Sequence, residues 1–347
     1  KLIVGGNAWE LLPDARESAS FVSLNQAVIE NRTIRYEQYV RSLNRWFDVS
    51  AFPYEDGVFI YFKDVSDRKK QDRLLQLEKE VLEMHTGSEA TLHEIADHLI
   101  NGLENINGHI KCAICLVKNN QRDAVLLSAP GLPAVFQEFV EATPLDPVRT
   151  TCARAILLRQ QVIIQDISSS DLVAETRNAA ENLGIRAAWS IPIISISNEV
   201  LGILAVYYKE SRMPAEDEVN MISRATHLLT MIMENKQAAE KLRISNERYL
   251  LATRASNEAI WDWDVETQTS FWGEGFNTLY GYPSGSYAGN TQNWELKIHP
   301  EDRDRVISKI NKVLSGEKNE FFNEEYRFRK LDGTYALVVD KAFCLYN

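Results

Sequence analysis

Met221, Ala225, Leu228, Ile232, Asn235, Ala239, Leu242, Asn246 and Tyr249 keep a heptad rhythm through a run that separates two segments rich in strand-forming residues. A helix of that length is a rod and not part of one core, so the segments on either side must each close a core of their own. The 347 residues are about twice the usual size of one domain, which suits two or three cores. A hydrophobic content of 45% with 25% charged residues is enough to fill them. A formal charge of −11 offers no field that attracts phosphates, which speaks against nucleic acid or an anionic membrane surface as partner. The apolar run Val200 to Tyr208 has the length of a buried strand, well short of the roughly 20 residues of a membrane span, so no membrane contact is expected from this chain. Its four cysteines, Cys112, Cys115, Cys152 and Cys344, are scattered, as free thiols in a reducing cytoplasm would be. The chain begins at Lys1 and stops inside what reads as a sheet, and is therefore read as an excerpt.

Local signals mark the elements. Two β-rich runs between Trp46 and Phe62 flank Glu55, Asp56 and Gly57, a tight hairpin turn. Leu74, Leu77, Val81 and Met84 then recur at spacings of three, four and three, the seam of a parallel coiled coil or a single buried stripe on one chain. Another helix follows, with Leu92, Ile95, Leu99, Leu103 and Ile106 on one face. A strand carrying Ile110, Cys112, Ile114 and Leu116 comes next, and after a proline-rich stretch the β run Val162 to Ile164. Asp171 to Leu183 reads as a helix with serines before it as caps and Gly184 past its end. Trp189 to Ile196 and Val200 to Tyr208 form a hairpin turned by Ser197, Asn198 and Glu199. Pro214 with Glu216, Asp217 and Glu218 opens the long helix, in which Asn235 and Asn246 would fix register if they lie in a dimer seam. After Trp261, Trp263, Phe271 and Trp272, His299 and Pro300 start a helix with Val306, Ile310 and Val313 inward, up to Gly316. Phe321 to Phe328 and Tyr335 to Leu345 are strands turned at Leu331, Asp332 and Gly333, in a sheet that would still lack a partner strand.

Three stretches resemble known families. WFDVSAFPYEDGVFIYFKDVSDRKK is similar to the C-terminal half of a PAS domain ending at an Asp64-Val65-Ser66 junction, and VGGNAWELLPDA to the loop and helix before that half. TTCARAILLRQQVIIQDIS and GIRAAWSIPIISISNEVLGILAVYYKESRMPAEDE resemble a GAF domain of multi-sensor bacterial histidine kinases. EAIWDWDVETQTSFWGEGFNTLYGY, IHPEDR and EEYRFRKLDGTYALV resemble the PAS subclass with paired tryptophans near its start. The resemblance implies an α+β architecture of antiparallel sheets flanked by helices, joined by long coiled-coil-like helices. Its domains are the end of a PAS domain at 1–66, a linker at 67–86, a GAF domain at 87–235, a linker at 236–250 and a second PAS domain at 251–347 lacking its last strand.

Most catalytic chemistry finds no support in the residues. His93 and Glu94 suggest a phosphoacceptor box, but the arginine and proline expected after it are missing and a solvated helix face explains the histidine. No nucleotide-binding box, GGDEF or EAL signature occurs. Cys112, Cys115 and His109 have the spacing of half a zinc knuckle, yet residues three apart on a strand point to opposite faces, leaving no metal site. Where the GAF resemblance would place a bilin cysteine and histidine, the chain reads Arg186, Ala187, Ala188, Trp189. A flavin would need a cysteine in a helical motif, whereas Cys344 lies in a late strand. Haem would need an axial histidine, whereas His299 stands at a helix start, where it suits a cap. Bilin, flavin and haem are thus disfavoured and the cofactor is left unknown. Cys152, Arg154, Trp189 and Tyr207 could line a pocket in the GAF region, and Trp261 and Trp263 either an aromatic cavity or a core in the second PAS region.

The resulting expectation is the sensing and dimerisation region of a bacterial sensor histidine kinase in the cytoplasm. It would act as a parallel homodimer, relaying small-molecule or redox state to a kinase core outside this chain and thence to a response regulator. Asp64, Leu74, Leu77, Val81, Met84, Leu228, Ile232 and Asn235 would carry the signal through the helical rods. The alternatives are the same module on a cyclic-diguanylate enzyme or a transcription regulator, a ligand-free dimerisation scaffold, and a thiol-dependent reductase using Cys152.

Overall fold

Strand parity decides which face each side chain meets, and a computed structural model describes residues 19–54, 57–87, 90–118, 123–142, 145–256, 258–267, 269–285, 292–315 and 321–344. The chain divides into two compact units between Lys236 and Gln237.

The first unit opens with helix α1 (Ala19–Ile29) and an antiparallel meander of β1 (Ile34–Val40), β2 (Arg45–Tyr54) and β3 (Gly57–Asp64). Leu24 and Ala27 of α1 pack on Ala51 of β2, with Ile34, Val58 and Ile60 around them. The β2–β3 hairpin is the one read from the sequence, with Tyr54 opposite Gly57. Glu55, Asp56 and the stretch 4–15 lie outside the described residues.

Two helices follow, α2 (Ser66–Gly87) and α3 (Leu92–Ile106), the second opened by a capping box of Thr91 and Glu94. The five-stranded antiparallel sheet after them has the order β5-β4-β8-β7-β6. Its strands are β4 (Ile110–Lys118), β5 (Asp123–Ser128), β6 (Val162–Ile164), β7 (Ala187–Ile194) and β8 (Val200–Tyr208). Helices α4 (Ala134–Ala142), α5 (Thr151–Leu158) and α6 (Ala174–Asn182) interrupt them, and α7 (Glu216–Ser256) follows. Ile110, Cys112 and Ile114 of β4, Trp189 and Ile193 of β7, and Leu204, Val206 and Tyr208 of β8 share one face and pack on α2, α3 and α7. The alternate residues Ala113, Ala188 and Ala205 face the other side, toward α4, α5 and α6. Gly202 is required where β8 passes β4, since a Cβ there would lie 2.6 Å from the Cys115 carbonyl oxygen.

One reading is corrected in this region. The helix begins at Ala174 instead of Asp171, and no serine caps it. Ser168 gives its backbone N–H to Asp166 at 3.0 Å in a local turn, while Arg177 donates to the Ser170 and Leu172 carbonyls at the helix start. Gly184 ends the helix at φ +69°, as read.

The stripe on α2 is spent inside the chain. Leu74, Leu77 and Val81 are buried with Met221, Leu228 and Ile232 of α7, and Met84 packs at the edge of that cluster. Burying each such side chain stabilises by about 1.5–3 kcal/mol, so a single stripe on one chain accounts for the spacing. The pairs Lys70–Asp217 at 2.8 Å and Glu78–Arg224 show that α2 and α7 run parallel over this stretch. His98 to Glu80 at 2.9 Å, with Leu77 over Gly102, sets α3 antiparallel to α2. Asn235 is exposed, and so are Leu242 and Tyr249 further along α7.

In the second unit β9 (Trp261–Asp264) pairs with β10 (Thr269–Trp272), and β11 (Phe321–Arg329) with β12 (Tyr335–Phe343). Between them lie α8 (Gly275–Tyr280), α9 (Gln292–Glu295) and α10 (Pro300–Ser315). Trp272 stacks on Phe276 at 4.3 Å within a core completed by Tyr282, Val306, Ile310, Phe322 and Phe328. His299 Nδ1 accepts the Glu301 N–H at 3.3 Å, the capping role read from the sequence. Gly316 and Leu345 lie outside the described residues. Among those residues no helix is long and apolar enough to cross a membrane.

Candidate functional site

The small side chains on the second face of the five-stranded sheet leave room beneath α4, α5 and α6. A cavity of about 90 Å³ opens there. Its floor is Cys115 of β4, Ala188 of β7 and Tyr207 of β8, and its walls include Phe136 and Phe139 of α4, Thr151 and Cys152 of α5, and Thr176 and Ala180 of α6. Helix α5 can start above the sheet because Thr150 caps it, accepting the Ala153 N–H at 3.1 Å, which turns its first residues inward. Ser190 then donates to Thr151 Oγ1 at 2.7 Å, and Cys152 Sγ lies 3.5 Å from the same serine hydroxyl. The Tyr207 ring meets Phe136 edge-on at 5.3 Å between centroids.

Burial governs the chemistry of these groups. It pushes the Cys152 and Cys115 thiols up and raises the Tyr207 phenol well above its ordinary value. The two thiols are therefore protonated near neutral pH and poor nucleophiles.

Of the four candidates in this region, Cys152 and Tyr207 come together in the cavity. Trp189 does not line it. Its parity puts it on the opposite face, buried against α3 and α7, with its indole N–H donated to Gln161 Oε1 at 3.1 Å. Arg154 points away from the cavity, donating to the Pro147 carbonyl and to Asp171 at 2.7 Å, and so ties together the segments on either side of α5. Cys115 was not among the candidates, although its offset of three from the core position Cys112 is a parity signal that places it on the other face.

In the second unit Trp261 and Trp263 are half-buried at the edge of the core. Trp261 donates its indole N–H to Asp340 Oδ1 at 3.0 Å, Tyr326 donates to Asp340 Oδ2 at 2.6 Å, and Trp294 donates to the Tyr326 hydroxyl at 3.0 Å. Burial lifts the Asp340 carboxyl above its usual range, against these two donors. The Trp263 indole nitrogen is buried without a partner among the described residues. Asp340 escaped the sequence reading, although its place between Val338 and Ala342 on the inward parity of β12 would have found it.

The coupling candidates fall at two junctions. Asp64 accepts the Ser66 N–H at 3.0 Å and pairs with Arg45, and the Ser66 hydroxyl accepts the Trp46 N–H at 2.9 Å, so the meander is tied to the first turn of α2. Hydrogen bonds from Ser66 and then from Arg45 lower the Asp64 carboxyl to about 2. At the start of α7, buried Glu218 accepts from Asn107, Arg212 and the Ala215 N–H, each at 2.7 Å. Tyr208, next in sequence to the cavity residue Tyr207, lies 3.5 Å from Glu218 on the helical face.

Comparison with known proteins agrees with this division. A model described as GAF domain matches residues 89–234, and one described as PAS fold matches residues 269–347. A protein of Methanosarcina acetivorans named methyl sulfide methyltransferase-associated sensor is 28% identical over 186 residues, 54% of this chain. The chain spans 18% of that relative's length. Among solved structures, the GAF domain of a phosphoenolpyruvate-protein phosphotransferase from Coxiella burnetii is 17% identical with a TM-score of 0.40, over 49% of this chain and 98% of that one. The corresponding domain from Acinetobacter is 16% identical with a TM-score of 0.38, over 48% and 97%.

Proposed function

From a chain that carries a GAF domain and a PAS domain in tandem, we propose the sensing region of a sensor histidine kinase, working as a parallel homodimer in the cytoplasm. A change in the GAF cavity would be passed along α7 toward the PAS domain and on to a kinase core, which would act on a response regulator. The observation that carries this reading is the adjacency at β8: Tyr207 lines the cavity, and Tyr208, the next residue, reaches Glu218 in the first turn of the long helix. A ligand that favours one position of β8 thereby favours one setting of α7, and it shifts the balance only by its difference in affinity for the two.

The relative named as a sensor supports the sensory part of this reading. An open cavity disfavours a scaffold whose pockets are filled by their own side chains, and protonated, buried thiols disfavour a reductase working through Cys152. Native mass spectrometry of the purified chain, compared with its denatured mass, tests the proposal. A dimer that gains non-covalent mass on exposure to cell extract metabolites is the expected result, and a monomer that gains none would overturn it.

A further inference from the structure

We propose that the GAF cavity is built for a small uncharged molecule of a few heavy atoms, with an apolar body and at most one or two hydrogen-bonding atoms, and that it rejects anions and large cofactors. This rests on the sensory reading above and adds the chemical class of the effector.

The first ground is charge. Among the described residues no Asp, Glu, Lys, Arg or His lines the cavity, whose polar side chains there are Thr150, Thr151, Thr176, Tyr207 and the two thiols. Of the described cations near it, Arg154 is engaged by Asp171 and the Pro147 carbonyl and Arg177 by the Ser170 and Leu172 carbonyls. A phosphate or carboxylate entering here would lose its water and find no countercharge among the described lining residues, which is prohibitive for a buried ion. Burial keeps Cys115 and Cys152 protonated, so neither thiol offers a cation a negative partner.

The second ground is size. An apolar cavity of roughly 150 Å³ holds one benzene. The space here is about 90 Å³, which holds a short alcohol, ketone or thioether whole, whereas a nucleotide, bilin, flavin or haem would have to leave most of its atoms outside. The third ground is the surface offered. Phe136, Phe139, Tyr207 and two S–H groups make a polarizable wall with few hydrogen-bond partners, suited to an apolar body with one polar atom.

The test uses the whole chain with 2-propanol as the uncharged probe and cyclic GMP as the charged one, read by saturation-transfer NMR. Two variants fill the cavity from different sides, Ala180→Leu on α6 and Ala188→Val on β7, and circular dichroism identifies the one that folds. Saturable 2-propanol binding that weakens at least tenfold in the folded variant, with no cyclic GMP binding, is the expected result. Cyclic GMP binding that the filling variant abolishes, without 2-propanol binding, would overturn the ligand class and leave the sensory reading standing. Binding of neither probe, or 2-propanol binding indifferent to the filling variant, would overturn the assignment of this cavity to small uncharged effectors.

Discussion

Arg224 holds both carboxylate oxygens of Glu78, at 2.7 and 2.5 Å, and so joins the helix that enters the GAF domain to the one that leaves it. The pair is partly exposed, and such pairs contribute about 0–1 kcal/mol, so its value lies in fixing the register of α2 against α7. Arg224→Gln should leave the unfolding midpoint almost unchanged while altering output in a full-length reporter. The exchange Glu78→Arg with Arg224→Glu should restore output. A double-mutant cycle in both readouts checks this, and equal effects on stability and output would contradict it.

A second contact controls how closely α2 can approach. Leu77 lies directly over Gly102 of α3, and a Cβ at that position would come within 2.3 Å of the leucine side chain. Gly102→Ala should destabilise the first unit by about 1–3 kcal/mol through overpacking, despite alanine's better helix propensity. Adding Leu77→Val should recover part of the loss. Urea unfolding of the two variants measures both effects.

What was legible in the sequence is local periodicity. The hairpins, the long helix and the inward face of α10 each follow from residues close in sequence, although β7 runs Ala187–Ile194 where the sequence predicts Trp189 to Ile196, because Ser195 already bonds Glu199 in the turn. The cavity is legible only once register is known. Trp189 and Tyr207 both read as pocket-lining, but the sheet register puts Trp189 opposite Val206 and Tyr207 opposite Ala188, on opposite faces. The α2 stripe was ambiguous for a related reason, since spacing says that a face is buried and not what covers it. In this chain α3 and α7 cover it.

Acid should loosen the PAS domain through Arg327. Its hydrogen bonds hold the Asp302 carboxyl down to about 2, below its unfolded value near 3.8. A depressed carboxylate contributes stability that is fully present above the unfolded value and is lost as pH falls through the folded one, here between about pH 4 and 2. Arg327→Met should therefore lower the unfolding midpoint at pH 7, and much less at pH 2. Tryptophan fluorescence during urea unfolding at the two pH values gives the comparison, and a pH-independent loss would locate the effect in packing instead.

Asp64 makes a similar link at the exit of the meander, binding the Ser66 N–H and Arg45 from an exposed position. Asp64→Ala should leave the GAF core intact, since Asp64, Ser66 and Arg45 lie outside its buried cluster, and should change output in a full-length reporter. Asp64→Asn keeps the acceptor for the Ser66 N–H and should retain more of the output than alanine does. Unchanged signalling in both variants would remove Asp64 from the coupling path.

Beyond Lys236 the rhythm of α7 continues with Leu242 62% and Tyr249 54% exposed, one heptad apart, among the described residues. Two exposed apolar side chains at seam positions cost little singly but mark the stripe that a second parallel copy would bury. Leu242→Lys should then raise the dimer dissociation constant by at least tenfold, because a buried ammonium would face its own copy across the seam. The neighbouring Lys241→Glu, off that stripe, should change it by less than twofold. Sedimentation velocity across a dilution series separates the two, and equal behaviour of both variants would show that this stretch of α7 carries no seam.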